Sequence, residues 1–351
     1  MEAHRFRGRL PRRGSVDGPV NTRLVRGAFV VVIPPLLALL FGMTTPGPLP
    51  RPELQASFDG LAAAQLAERL SLEAPSRSPG APQARTAADW VARQFESYGL
   101  AVERDRWRED LPGLGSVELH NVVATITGES PRAVIVVASR DNAAQGDRQG
   151  ENASGTGALI ELARSLAPME AGPSPRPRNT FVFVSTDAAT AGAAGAARFA
   201  STSPSTRDAV AVVVLDGVAG GGAPRLAIAG DRPRTAPPVL VRTAQDRIAE
   251  QAQGSPLLPG LPTQLLDLAV PIGIGEQAPF LARSIPALSI TTDEPGEPHV
   301  PVGDPSTRGS ERQLERLGRA VQSLLTSLDA GGEVTQRARD DVYVGKRVVP
   351  G

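Results

Sequence analysis

Four short, nearly continuous apolar runs constrain the fold of this chain more than any other feature of its sequence. They are AVIVVA at 133–138, TFVFVST at 180–186, AVAVVVL at 209–215 and PALSIT at 286–291. Such runs are typical of strands that are buried on both faces of a parallel sheet. Segments with helical periodicity separate or follow them, at 155–167, 192–201, 239–253 and 310–329. This alternation predicts an α/β fold with a mostly parallel central sheet and helices on both faces.

Two helices and two strands are predicted before the first of these runs. The helices lie at 58–70 and 84–98, and the strands at 100–108 and 117–127. The second helix carries Trp90, Val91, Phe95 and Tyr98 on one side, which is the pattern of a helix that packs on a core.

An uncharged apolar segment, GAFVVVIPPLLALLFGM at 27–43, lies near the N-terminus. Its 17 residues are at the short end of what crosses a bilayer. The basic arm at 1–26 holds seven arginines against two acids, and positive flanks stay in the cytoplasm. We therefore predict a single-pass anchor in the cell membrane, with the C-terminal domain extracytoplasmic. A cleaved signal peptide is the alternative interpretation.

The rest of the chain divides into three predicted parts. Residues 44–56 read as an extended, Pro-rich linker. Residues 57–329 form the α/β domain, and residues 330–351 form a short charged tail with a strand at VYV.

Charge and composition restrict the chemistry of the chain. The net charge is zero, so no nucleic-acid partner is expected. There is no cysteine, which excludes disulfides and thiolate metal ligands. Only three histidines are present, so any metal site must be rich in carboxylates or incomplete.

Several candidate site residues follow the predicted strands directly. Asp141, Asp187 and Asp216 come after three of the apolar runs, His299 follows the fourth, and Glu151 precedes the next helix. Ligands collect outside the carboxyl ends of strands in such sheets, so these side chains are expected at one edge. Each also has a structural interpretation: Asp187 as a helix cap, Asp216 as a turn residue and Glu151 as a charge that complements a helix dipole.

The order of five segments resembles the zinc aminopeptidase family that includes bacterial leucine aminopeptidases and aminopeptidase S. Glutamate carboxypeptidase, transferrin receptor and nicastrin are relatives in that family. The segments are HNVVATITGESPRAVIVVASRDN, GENASGTGALIELARSLA, RNTFVFVSTDA, AVVVLDGVAG and FLARSIPALSITTDEPGEPHVPVGDP. They span nearly the whole region from about residue 58 to 329.

The resemblance implies a site with one or two zinc ions. In the family's pattern, Asp216 aligns with a zinc-binding aspartate, and His299 aligns with the zinc-binding histidine near the end of the domain. Glu151 aligns with the carboxylate that bridges the two ions. Asp187 stands for the general base. A pair of divalent ions would lower the pKa of a bridging water and bind a tetrahedral intermediate.

Three positions modify this implication. Asp141 matches an acid that orients a zinc histidine in the family, but Ser139 stands where that histidine belongs. Ala188 stands where the second zinc has a glutamate. Each ion would thus keep two protein ligands where catalytic zinc normally has three. Glu276, near the family's D-H-x-P-F stretch, is a candidate replacement ligand.

Two functions follow from the resemblance and stay open at this point. One is a membrane-anchored, extracytoplasmic metallopeptidase-like protein of a kind that hydrolyses N-terminal peptide bonds. The two replaced ligands would reduce or abolish this activity. The other is a non-catalytic ectodomain that binds a peptide or a partner protein. A serine hydrolase is disfavoured because no G-x-S-x-G motif occurs, and GVAGGG at 217–222 does not have dinucleotide-binding spacing. The sequence does not determine the oligomeric state.

Overall fold

The computed structural model describes residues 26–27, 29–33, 42–53, 55–142, 152–167, 176–252, 254–273, 275–292, 310–331 and 337–351. The chain divides into two compact units, residues 1–43 and 44–351. The second unit holds the sheet and is the domain discussed below.

A seven-stranded mixed sheet forms the centre of the domain. Its strands in chain order are β1 (Ala101–Leu111), β2 (Gly115–Ile126), β3 (Ser130–Ser139), β4 (Asn179–Thr186), β5 (Ala209–Leu215), β6 (Arg225–Ala227) and β7 (Ala287–Thr291). Their spatial order is β1-β2-β4-β3-β5-β7-β6. The four central strands, β4, β3, β5 and β7, are mutually parallel, whereas β1, β2 and β6 pair antiparallel at the two sides. A mostly parallel central sheet is therefore confirmed.

The central strands are buried on both faces. Residues 133–138 of β3 and 181–186 of β4 are all buried, and alternate residues of a strand face opposite sides of a sheet. The continuous apolar runs of the sequence arise for this reason, because neither face of these strands meets water.

Eight helices of the described domain surround the sheet. They are α1 (Gly60–Glu73), α2 (Pro82–Ser97), α3 (Ala153–Leu166), α4 (Ala194–Thr202), α5 (Pro238–Ala252), α6 (Leu261–Ala269), α7 (Ala278–Ala282) and α8 (Ser310–Ala330). Helices α1, α2, α3, α5 and α8 form one group of contacting helices. Helices α4 and α7 contact each other, and the rings of Phe199 and Phe280 lie 6.3 Å apart there.

The elements predicted from periodicity are present, with boundaries shifted by a few residues. Within residues 57–329, one strand and two α-helices are new: β6, α6 and α7. Strand β6 has three residues and α7 has five, so neither is long enough to display a period. Helix α6 was missed for a different reason, since its apolar side chains are exposed, as described below.

The predicted linker and tail both lie against the domain. In the segment 44–53, Leu49 is buried and its N–H donates to Thr243 Oγ1 (3.0 Å). In the tail, β8 (Val342–Val344) pairs with β9 (Arg347–Val349), which confirms the predicted strand at VYV and adds its partner. Thr44 pairs with Val348 of β9 through two 2.9 Å backbone hydrogen bonds. The packed domain thus begins at Thr44.

The first unit is described only at residues 26–27, 29–33 and 42–43. Residues 29–33 are helical, and their side chains are exposed. No helix within the described residues is both long and apolar enough to span a bilayer. Residues 28 and 34–41 of the predicted span, and residues 1–25 of the basic arm, lie outside the described part, so the anchor stays a prediction.

The contact between α1 and α3 gives a test of this packing. A Cβ added at Gly157 in α3 would lie 2.3 Å from the carbonyl oxygen of Ala63 in α1. Alanine normally favours a helix by roughly 1 kcal/mol over glycine. We nevertheless expect Gly157→Ala to lower the free energy of unfolding by roughly 1–3 kcal/mol, because the helices must move apart. Urea denaturation measures this change.

Gly221→Ala is the matched control, because an added Cβ there meets nothing within 4 Å. Its effect should stay within roughly 0.5 kcal/mol. Equal effects of the two substitutions would refute the close packing of α1 on α3.

Candidate functional site

Three parallel strands end side by side and bring three aspartates to one edge of the sheet. Strands β4, β3 and β5 are neighbours and end at Thr186, Ser139 and Leu215. Asp187, Asp141 and Asp216 follow these ends at once or after one residue. Asp187 and Asp141 are fully buried, whereas Asp216 is exposed. Glu276, which comes just before α7, joins them through the contacts described below.

Asn152 holds this edge together. Its Oδ1 accepts from the N–H of Gly155 (3.0 Å), which caps α3, and from the N–H of Gly217 (2.9 Å). Its Nδ2 donates to the carbonyl oxygen of Leu215 (2.7 Å) and to Ser139 Oγ (3.3 Å). One amide therefore joins the ends of β3 and β5 to the start of α3.

The central group of the edge is the guanidinium of Arg140, which is 1% exposed. Its Nη1 donates to the carbonyl oxygens of Ser185 and Thr186, each at 3.0 Å. Its Nη2 donates to the carbonyl oxygen of His120 and to Asp187 Oδ2, the latter at 3.1 Å. Burial lowers the pKa of Arg140 from its ordinary value, and the Asp187 carboxylate opposes that shift.

Asp187 uses its whole carboxylate in structural contacts. Besides the ion pair with Arg140, Oδ2 accepts from the N–H of His120 (3.1 Å), and Oδ1 accepts from the N–H of Ala188 (2.9 Å). The side chain is 0% exposed. In these contacts Asp187 balances a buried positive charge at the end of β4. Its role as a general base stays a prediction.

Asp141 holds the turn that follows β4. Its oxygens accept from the N–H of Ala189 (3.0 Å), the N–H of Thr190 (3.0 Å) and the hydroxyl of Thr190 (2.8 Å). Burial, and next the charge of Asp187, raise the pKa of Asp141 to about 6. Because residue 139 is a serine, the carboxylate has no histidine there to orient.

Glu276 lies between the ends of β3 and β4. Its Oε1 accepts from the hydroxyl of Thr186, and the N–H of Ser139 also donates to its carboxyl group. The side chain is buried, and burial is the main cause that raises its pKa to about 8. The charges of Asp141 and Asp216 act in the same direction. The structure thus places Glu276 beside Ser139, one of the two positions that lack the family's ligand.

Both of those positions have other contacts. Ser139 accepts from Asn152 through its hydroxyl and from the Thr156 hydroxyl through its carbonyl oxygen (2.8 Å). Ala188 is 0% exposed and belongs to a small apolar cluster with Leu111, Leu119 and Ala194. A glutamate at position 188 would have to be placed among leucines.

Two residues of the predicted site, Glu151 and His299, lie outside the described residues. His120 is buried, and its Nε2 lies 3.3 Å from Glu118 Oε1. His120 contacts this edge of the sheet through its backbone: its N–H donates to Asp187, and its carbonyl oxygen accepts from Arg140.

The described residues do not fit a zinc centre. They contain no group of three His, Asp or Glu side chains arranged to hold a metal ion. Asp187 is paired with a cation, and Asp141 accepts three hydrogen bonds. Two of the residues that the resemblance assigns to the metal, Glu151 and His299, lie outside the described part. The described residues alone therefore do not make up a zinc centre, and no reaction step is routed through zinc.

Comparison with known proteins identifies the family. Residues 121–324, more than half of the chain, match peptidase family M28. The chain belongs to this family. The predicted kinship with zinc aminopeptidases is thereby confirmed, and zinc is the metal that such relatives indicate. No curated protein gives a significant match to the chain.

Solved structures with the same fold include glutaminyl cyclases and a zinc aminopeptidase. A glutaminyl cyclase from an Acidobacteriales bacterium is 17% identical with a TM-score of 0.60, covering 81% of this chain and 99% of that one. The glutaminyl cyclase of Porphyromonas gingivalis is 17% identical with a TM-score of 0.58, covering 78% and 98%. BSAP, a zinc aminopeptidase from Bacillus subtilis, is 13% identical with a TM-score of 0.60, covering 77% and 95%. At these identities the likeness shows the M28 fold and nothing finer.

Arg140 was not among the site residues predicted from the sequence. The one available signal was an arginine between Ser139 and Asp141, directly after an apolar strand. A charged side chain at such a place either turns outward to solvent or is buried with partners, and only the structure distinguishes these cases.

The raised pKa of Glu276 predicts a pH dependence of stability. The unfolded chain ionises this carboxyl near 4.5, the folded domain near 8. Between these values the folded domain retains a proton that the unfolded chain has lost, so stability is highest below the lower value and falls as pH rises. Asp141 acts in the same direction between 3.8 and about 6. We expect Glu276→Gln to remove most of the loss between about pH 5 and about pH 8, on the order of a few kcal/mol.

Urea denaturation at several pH values, in buffer with a chelator, measures this effect. Glu129→Gln, at an exposed glutamate, is the control and should keep the wild-type slope. An unchanged slope in Glu276→Gln would show that this carboxyl is ionised in the folded domain.

Proposed function

We propose that this chain is a membrane-anchored M28 domain that binds peptides by their N-termini outside the cytoplasm and has lost metallopeptidase turnover. Membership of peptidase family M28 supports a peptide as the ligand. The observation that carries the loss of turnover is the buried ion pair between Arg140 and Asp187.

This pair opposes general-base catalysis for an electrostatic reason. A general base must accept a proton from the attacking water during the reaction. Protonation of Asp187 would neutralise the only carboxylate within ion-pair distance of Arg140 in the described residues and leave a buried guanidinium uncompensated. An uncompensated buried charge costs several kcal/mol. The reacting water would also have to reach a side chain that is 0% exposed.

The two substituted ligand positions act in the same direction. Ser139 is hydrogen-bonded to Asn152, and Ala188 is packed in an apolar cluster. Of the two positions, Ser139 has the acidic side chain of Glu276 beside it, which accepts hydrogen bonds from the Thr186 hydroxyl and the Ser139 N–H. Replacing a histidine by Ser139 and a glutamate by Ala188 removes two metal ligands, while both residues keep packing and hydrogen-bonding contacts at the sheet edge.

Asp216 is the group we assign to peptide binding. It is the exposed carboxylate among the strand-end acids, at the end of β5. The α-ammonium group of a peptide carries one positive charge at neutral pH and is a natural partner for it. N-terminal recognition would thus persist without hydrolysis.

The proposed location rests on sequence features. The uncharged segment 27–43 and the arginines that precede it favour an anchor with the domain outside the cytoplasm. The packed domain begins one residue after that segment, at Thr44.

A second candidate function is cyclisation of N-terminal glutamine. Several structural neighbours are glutaminyl cyclases. That reaction releases ammonia when the α-amine attacks the side-chain amide, and the leaving group needs a proton. Glu276, whose pKa burial raises to about 8, is the carboxyl at this edge best suited to hold such a proton, and it favours this candidate.

One set of assays on the full-length chain in detergent separates these functions. We expect no release of N-terminal residues or of ammonia, with or without added zinc. We expect binding of peptides with a free N-terminus and weaker binding of the same peptides after N-acetylation. Asp216→Asn should weaken binding of the free peptides roughly three- to tenfold, as the loss of one partly exposed ion pair predicts.

Asp208→Asn is the matched control, because this exposed aspartate precedes β5 at the opposite end of the strand. Its affinity should equal that of the wild type. Zinc-dependent release of amino acids would disprove the loss of turnover, and ammonia release from an N-terminal glutamine would favour the cyclase.

A further inference from the structure

The segment 257–272 exposes an unusual amount of apolar surface. Nine large apolar side chains are exposed among the described residues of the domain, and six of them lie in this segment. The six are Leu257 (51%), Leu261 (42%), Leu265 (57%), Leu266 (61%), Val270 (53%) and Ile272 (71%). Large exposed apolar patches mark sites of contact with a membrane or another molecule, and six such side chains within sixteen residues of chain point to one.

The composition around α6 matches this exposure. Between Glu250 and Glu276 the chain has one charged residue, Asp267. Burial raises the pKa of Asp267, which makes it easier to bring this carboxyl close to lipid. A surface helix would normally carry several charges on its exposed face.

Helix α6 is attached to the domain by its one buried side chain, which is polar. Gln264 Nε2 donates to the carbonyl oxygen of Tyr343 (3.0 Å), and Gln264 Oε1 accepts from the N–H of Tyr343 (2.8 Å). No other residue of α6 is buried. The leucines of α6 therefore contribute little to the core, and their exposure needs another explanation.

A short series of contacts joins α6 to the first residue of the domain. Tyr343 of β8 pairs with Val348 of β9, and Val348 pairs with Thr44. Neighbouring strands lie about 5 Å apart, so the two strand pairings place Tyr343, the residue that holds α6, on the order of 10 Å from Thr44. Thr44 is the residue that follows the proposed membrane span at 27–43.

The surface beside Thr44 carries an excess of positive charge. A cavity of about 800 Å³ lined by Thr44 has three arginines, Arg234, Arg337 and Arg339, against Asp340 and Asp341. Guanidinium groups bind phosphate oxygens in pairs of hydrogen bonds, so this surface suits anionic lipid headgroups.

An adjoining cavity extends this charge. It has a volume of about 750 Å³, shares Arg337 with the first, and adds Arg132, Arg207 and Arg283 against Asp208. No ion pair involving these four arginines is found among the described residues.

We propose that the apolar surface of 257–272 lies in the headgroup region of the same bilayer that 27–43 spans. This inference rests on the proposed anchoring. An apolar helix surface that is held near a bilayer by its own chain is buried in the interface at little entropic cost. The chain would connect the domain to the bilayer at Thr44, and α6 would be a second, non-covalent attachment. Two attachments would restrict how the domain is oriented at the membrane.

Site-directed fluorescence on the full-length chain tests this inference. The chain has no cysteine, so each introduced cysteine is a unique site for an environment-sensitive dye. Leu265→Cys reports on α6, Leu72→Cys is an exposed control at 73%, and Val31→Cys reports on the proposed span. The protein is reconstituted into vesicles of phosphatidylcholine and phosphatidylglycerol, with or without acyl-chain quencher lipids.

We expect a blue-shifted emission and quenching by these lipids at positions 31 and 265, and neither at position 72. Quenching at 31 without quenching at 265 would overturn the inference and leave the anchor intact. No quenching at either position would overturn both. A blue shift at 265 without lipid quenching would indicate contact with protein and would also overturn it; Leu261→Cys repeats the measurement on the same helix.

Discussion

The ion pair between Arg140 and Asp187 determines how the ends of the central strands are arranged. A guanidinium that is 1% exposed must have its charge balanced and its N–H groups bonded. The Nη1 and Nη2 groups of Arg140 find these partners on β2, β4 and the residue that follows β4, whereas its Nε–H has no hydrogen-bond partner among the described residues. The carboxylate that the resemblance assigns to general-base chemistry is the one that balances this charge. The described contacts of Asp187 at this edge of the sheet are therefore structural ones, and the proposed loss of turnover rests on them.

The same edge shows how an M28 fold accommodates changed ligand positions. Asn152 joins the ends of β3 and β5 to α3, so hydrogen bonds within the protein hold these strand ends. Ser139 contributes to that network, Ala188 contributes to an apolar cluster, and Asp141 holds the next turn. A buried polar group is costly to leave unpaired, so the hydrogen bonds of Asn152, Ser139 and Asp141 stabilise the strand ends independently of any catalysis.

The sequence was informative where the physical signal is local. Continuous apolar runs predicted β3, β4, β5 and β7, and parallel pairing brought Asp141, Asp187 and Asp216 to one edge as expected. The direction of the Arg140 side chain was not predictable, because its partners come from strands that are distant in sequence. Helix α6 was missed because periodicity assumes that apolar residues face the core, whereas α6 buries Gln264 and exposes its leucines. Glu276 was singled out by the resemblance, but its place beside Thr186 and Ser139 depends on how the loop before α7 folds back.

A double-mutant cycle on Arg140 and Asp187 tests the central claim most directly. The measured quantity is the free energy of unfolding of the metal-free full-length chain in detergent, for Arg140→Met, Asp187→Ala and the double variant. The account predicts that Asp187→Ala alone costs roughly 3–5 kcal/mol, since it leaves a buried charge without its partner. It also predicts that the double variant is more stable than additivity implies, by roughly 1–3 kcal/mol. Additive effects, with Asp187→Ala costing less than about 1 kcal/mol, would show that the carboxylate is not committed to the arginine and remains available for proton transfer.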